Sequence, residues 1–198
     1  ISDQRRREAR LAGLILIGSI PIFLLGFFGQ EYIRENFRSL YLIAFTLIIF
    51  GLLLGLLDHY GKKIKDLDSL KIGDGLAYGI AQSLALIPGV SRSGATIAMG
   101  RALGYKREAA LRYSFLLAVP AVFASGFYQL YKSWGVAGPV SPANTALATF
   151  IAFFVGYAVI VWFLKIVSTR GYGLFVVYRV LLGVVVLALL AAGVLQPL

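Results

Sequence analysis

Residues 87–96 read Ile87-Pro88-Gly89-Val90-Ser91-Arg92-Ser93-Gly94-Ala95-Thr96, placing one arginine, three hydroxyls and two glycines inside an otherwise apolar segment. The apolar runs on either side, between Gly73 and Gly104, hinge on Pro88-Gly89, and each is too short to cross a bilayer alone. An arginine at membrane depth costs roughly 2.5–3.5 kcal/mol on insertion scales, so it persists only against a wet cavity or a partner. Irregular backbone at that depth is tolerated under the same condition. A guanidinium, hydroxyls and glycine-exposed amides together make an anion site, and phosphate is the anion they fit best. A short polar loop outside the membrane is the plainer alternative. The immediate return of apolar sequence on both sides argues against it.

Outward from this stretch the chain has the composition of a membrane protein. It is 59% hydrophobic and 14% charged, with a mean hydropathy of +0.83, and long apolar runs dominate over any amphipathic period. The formal net charge of +10 does not point to nucleic acid, because the basic residues collect in short loops between apolar runs. Cysteine is absent, which excludes disulfides, thiolate chemistry and cysteine-ligated metals. Arg5-Arg6-Arg7 precedes an apolar run too long for the core of a cleavable signal peptide.

The expected fold is an all-α integral membrane protein, a single membrane domain over residues 1–198. Five spans are predicted at 11–29, 40–57, 109–131, 144–166 and 174–195, with Pro21 and Pro120 inside the first and third. Residues 74–104 are predicted to form a re-entrant helical hairpin. Arg5, Arg6, Arg7, Arg10, Lys62, Lys63, Lys65, Lys71, Lys106, Arg107, Lys165 and Arg170 then share one side, and only Arg34, Arg38 and Lys132 face the other. The rich side is expected to be cytoplasmic, with the N-terminus inside and the C-terminus outside. A full crossing by 74–104 would move Lys106 and Arg107 outside and scramble the pattern.

Among individual residues, Arg92 can clamp a phosphate bidentately and stabilise charge as a P–O bond breaks; a structural ion pair or carbonyl brace is the bland reading. Ser91, Ser93 and Thr96 can donate to phosphate oxygens or satisfy backbone freed in a broken helix. Gly89 and Gly94 permit close backbone approach. Gln82 reaches toward the same cavity or serves a helix contact. His59, beside Asp58, reads as an interfacial histidine, since neighbours on a helix point about 100° apart. Asp66, Asp68 and Asp74 read as solvated charge in a lysine-rich loop. Tyr128, Tyr131 and Trp134 read as an aromatic belt. Arg179, after Tyr178, sits some five residues inside the last span, where it either snorkels or faces the interior.

The PGVSRSGAT stretch, the preceding Gly79-Ile80-Ala81-Gln82, the following Gly100, and Tyr113-Ser114-Phe115-Leu116-Leu117-Ala118-Val119-Pro120 resemble the bacterial undecaprenyl-diphosphate phosphatases, the bacitracin-resistance family. The likeness runs along essentially the whole chain, including Tyr131-Lys132-Ser133-Trp134 and Tyr178-Arg179. It implies hydrolysis of undecaprenyl diphosphate to undecaprenyl phosphate, the lipid carrier for peptidoglycan precursors, in the bacterial plasma membrane. It also implies an inverted-repeat bundle whose site opens to the outside. Arg92, Ser91, Ser93 and Thr96 match the family's phosphate-binding motif. Full-length members carry a further repeat with a motif resembling EGxTEFLPVSSTGH, which supplies carboxylates, a serine and a histidine, and no such string occurs here. The chain therefore reads as the C-terminal portion of such an enzyme, expected to need that repeat as a partner and to be inactive alone. A divalent cation such as Mg or Ca is compatible with the chemistry, but no ligand set is visible, and a homodimer is open. A lipid flippase or secondary transporter with a midplane phosphate site is the alternative, and a scaffolding subunit a third.

Overall fold

The computed structural model describes residues 2–133 and 141–197. Among these residues seven α-helices follow in order: α1 Ser2–Asn36, α2 Leu40–Tyr60, α3 Ile72–Ser83, α4 Arg92–Ala102, α5 Arg107–Ser133, α6 Pro142–Arg170 and α7 Gly173–Ala191. One-turn 3-10 helices at Leu67–Ser69 and Leu84–Leu86 precede and follow α3. No strand occurs among the described residues. Among the described residues five helices are long and apolar enough to cross a bilayer: α1, α2, α5, α6 and α7. Pro21 and Pro120 lie inside α1 and α5 without ending them.

Helices α3 and α4 have 12 and 11 residues, about 18 and 17 Å at 1.5 Å per residue. Neither spans a core of about 30 Å. Their feet are tied together: Lys65 N–H donates to Gly104 O at 3.0 Å, and Lys106 N–H returns to Lys65 O at 2.9 Å. The chain thus enters and leaves 74–104 at the same end of the bundle, the arrangement the loop charges require. At this end Lys106 pairs with Asp66 at 2.9 Å, Arg7 approaches Asp68 at 4.0 Å, and the Tyr172 hydroxyl donates to Arg107 O at 3.0 Å.

Packing follows from small residues. A Cβ on Gly79 of α3 would stand 2.1 Å from Gly18 O of α1, so these helices touch backbone to backbone, as membrane helices do where glycine allows. Tyr78 stacks edge-on against Tyr113 with ring centroids 4.8 Å apart, in a core shared with Leu14, Leu70, Tyr105 and Leu117. A second core joins Leu54, Ile97, Leu111, Val167 and Tyr172. Helix α4 lies between α2, α3 and α5, while α2 packs chiefly on α7. Helix α6 is exposed along most of its length, with Phe163, Leu164 and Val167 making its inward contacts.

Two sequence expectations need adjustment. Asp74 is not merely solvated charge: its Oδ2 accepts from Lys71 N–H at 3.0 Å and from the Tyr105 hydroxyl at 2.8 Å. It caps α3 and fastens it to the exit of the hairpin. Burial, reinforced by Asp74, pushes the Tyr105 phenol above its ordinary range, so it remains a donor. Arg107 is more than a loop charge, since its fork grips Asp58, as described below. His59 is exposed and stacks edge-on with Tyr60. Tyr128 and Tyr131 are exposed near the end of α5, whereas Trp134 lies outside the described residues.

Candidate active site

The hairpin tip is a turn braced from two directions. Gly89 has φ +89°, and a Cβ there would lie 2.1 Å from Thr46 Oγ1 and 2.6 Å from Ile43 O. Glycine is required both for the left-handed backbone and for contact with α2. Thr46 Oγ1 reaches Pro88 O at 2.8 Å. From α7, Arg179 Nη2 donates to Gly89 O at 2.7 Å and Val90 O at 2.9 Å. Arg179 is 2% exposed, so it faces the interior and does not snorkel. Its second terminal nitrogen lies against Gly94, where a Cβ would stand 2.9 Å from Nη1.

Ser91 follows at φ 67°, the one described non-glycine residue with positive φ. Such backbone costs about 1–3 kcal/mol and persists only where its surroundings impose it. Ser91 Oγ caps α4 by accepting Gly94 N–H at 3.3 Å, and Ser91 O accepts Ala95 N–H at 3.0 Å. The first two amides of α4, on Arg92 and Ser93, have no backbone acceptor among the described residues. They sit at the positive end of the helix dipole, where an anion is favoured.

The side chains around this end divide into two groups. Ser91, Arg92 and Ser93 are half-buried, and no carboxylate pairs with Arg92 among the described residues. Thr96 and Gln82 are fully buried. The Thr96 hydroxyl shares a short hydrogen bond with Ser114 of α5 and reaches Arg92 O at 2.9 Å. Both polar atoms of the Gln82 amide lack a partner. No group of three or more His, Cys, Asp or Glu residues suited to a metal occurs among the described residues.

A family model described as Bacitracin resistance protein BacA matches residues 1–185. The chain belongs to this family. It is 56% identical over 196 residues to Undecaprenyl-diphosphatase 2 of Agrobacterium fabrum, covering 99% of this chain and 70% of that protein. It is 55% identical over 192 residues to an undecaprenyl-diphosphatase of Micrococcus luteus, covering 96% and 69% of the two chains. A third relative, the undecaprenyl-diphosphatase of Paenarthrobacter aurescens, is 52% identical over 197 residues, covering 98% and 71%.

Asp58, at the end of α2, is 7% exposed and sits between two arginines. Arg101 Nε donates to its Oδ1 at 2.9 Å, while Arg107 Nη2 reaches Oδ2 at 2.8 Å. Arg101 is 0% exposed and also donates to Asp58 O at 3.2 Å and to Tyr105 O. This network locks the exit foot of the hairpin to α2. Asp58 and Arg101 stand 43 residues apart, so no local pattern joins them. An arginine within a short hairpin leg was the available signal, by the reasoning applied to Arg92.

Proposed function

We propose that the α4 N-terminus binds the terminal phosphate of undecaprenyl diphosphate, and that the chain serves its hydrolysis to undecaprenyl phosphate and inorganic phosphate. Membership of the bacitracin-resistance family and relatives named undecaprenyl-diphosphatase favour hydrolysis over transport. The observation that carries the site assignment is the pairing of a half-buried, carboxylate-free Arg92 with two unpaired amides at the tip of a braced re-entrant turn.

The terminal phosphate would accept from the Arg92 and Ser93 amides, the Arg92 fork and the Ser91 and Ser93 hydroxyls. Attack by an oxygen nucleophile forms a new P–O bond at the terminal phosphorus and breaks the bridging one, whose electron pair leaves on undecaprenyl phosphate. Water supplies the oxygen finally delivered to inorganic phosphate. Arg92 stabilises the charge gathering on the phosphoryl oxygens. Gly89 and Gly94 let backbone and guanidinium approach closely. Buried Thr96 supports the site by holding α4 to α5, and the buried Gln82 amide on α3, with both polar atoms unpartnered, is assigned to the same site. Proton transfer falls to another group, because an arginine does not deprotonate in proteins. The basic end of the bundle is read as cytoplasmic, and the turn as reached from the outer face.

Arg92→Lys tests the assignment in a full-length enzyme. Lysine keeps the charge but loses the fork that matches two phosphate oxygens. Loss of one transition-state donor costs about 2.7–4 kcal/mol, a hundred- to a thousandfold in rate. Phosphate release near the wild-type rate would remove Arg92 from the site.

A further inference from the structure

At the basic end of the bundle, α1 and the start of α3 frame a groove of about 560 Å3, lined by Arg10, Gly13, Leu14, Ile17, Lys71 and Ile72 among others. Residues 10, 13, 14 and 17 share one face of α1. The groove therefore begins at a cation and runs about 10 Å along apolar helix surface. A side chain added at Gly13 would meet nothing within 4 Å, so the floor is open there. This place is removed from the re-entrant turn by the whole length of α3.

The two charged side chains lining the groove are both cations. Arg10 Nη2 donates to Leu70 O at 2.6 Å, which sets its guanidinium beside Lys71 and leaves the rest of its fork for a ligand. The acids at this end have other partners: Asp74 takes the Lys71 amide and the Tyr105 hydroxyl, and of the two that share the adjoining pocket with Arg10, Asp68 faces Arg7 and Glu8 accepts from Gln4. Among the described residues neither Arg10 nor Lys71 forms an ion pair. Paired cations above an apolar channel between membrane helices fit one chemistry, a phosphate carried on a hydrocarbon chain.

We propose that this groove binds an anionic phospholipid, with its phosphodiester on Arg10 and Lys71 and one acyl chain along Gly13, Leu14 and Ile17. A free phosphate would use the cations and leave the apolar floor empty. A zwitterionic lipid would bring a third cation to a place that already holds two.

Native mass spectrometry of a purified full-length enzyme in detergent, titrated with dioleoyl phosphatidylglycerol or dioleoyl phosphatidylcholine, tests the proposal. Phosphatidylglycerol should be retained in preference. Lys71→Gln should weaken it about fivefold, the effect of one cation near the headgroup. Gly13→Leu keeps every charge, fills the floor and should weaken it about tenfold. Arg5→Gln, the same charge change outside the groove, should leave it unaltered, and circular dichroism should show all three variants folded. Equal retention of the two lipids, or wild-type binding by both Lys71→Gln and Gly13→Leu, would overturn the proposal. Displacement of the lipid by equimolar glycerol phosphate would also overturn it, in favour of a soluble anion.

Discussion

Replacing Arg179 by methionine should separate activity from stability, because the two depend on this side chain to different degrees. Its Nη2 holds the carbonyls of Gly89 and Val90 at 2.7 and 2.9 Å. Hydrogen bonds from a charged donor contribute about 1.5–3 kcal/mol each, so roughly 3–6 kcal/mol of local interaction is lost. Against this stands the cost of keeping a guanidinium 2% exposed with its Nε unpartnered, itself several kcal/mol for a buried ion. Methionine fills much of the same volume without that cost, so the net loss of stability should be only about 1–2 kcal/mol. The effect on the turn is not offset in this way. With both carbonyls released, the strained Ser91 backbone and the first amides of α4 lose their brace. A displacement of about 1 Å at such a site costs about a hundredfold in rate. The expected result is a melting temperature within a few degrees of wild type and phosphate release reduced about a hundredfold, measured on a full-length enzyme in detergent. Arg179→Lys, able to reach a carbonyl through its ammonium, should fall between. A rate for Arg179→Met within threefold of wild type would refute the bracing role.

Asp58→Asn should act in the opposite sense, on stability first. It strips the partner from Arg101, which has no exposure, and should cost about 3–5 kcal/mol, visible as a drop of about 10 °C or more in thermal unfolding; a shift under about 2 °C would show the network to be dispensable. Single cysteines at Ser91 and Ser93, in a chain with none of its own, should react with an impermeant thiol reagent added outside the cell, and labelling only from the cytoplasmic face would reverse the proposed orientation. A polypeptide of these 198 residues alone should release no measurable phosphate. Among the described carboxylates Asp58 is held by Arg101 and Arg107, Asp66 by Lys106, Asp74 by Tyr105 and Glu8 by Gln4, and none pairs with Arg92; robust turnover abolished by Arg92→Ala would place a base among the carboxylates.

The sequence determined the parts whose physics is local. A run of about 20 apolar residues reports a span wherever it occurs, because the bilayer imposes that length. The hairpin at 74–104 was legible for the converse reason: its runs are too short, and Arg92 with Pro88-Gly89 interrupts them. The grouping of basic loops at one end also followed, since topology constrains charge along the chain. Tertiary structure alone decided what depends on contacts between distant segments. Arg179 could snorkel or turn inward on sequence grounds, and only the approach of α7 to the hairpin tip put the Gly89 and Val90 carbonyls in its reach. Asp58 had only its neighbour His59 beside it in sequence, and its partners are Arg101 and Arg107. The fold brings α2 to the hairpin's exit, and burial makes a paired charge the only tolerable one there. Thr96 looked like a fourth donor to phosphate, and packing turned its hydroxyl to Ser114. Membrane thickness acts on each segment separately and is written in each. The pairing of buried polar groups belongs to no single segment, and the packed bundle settles it.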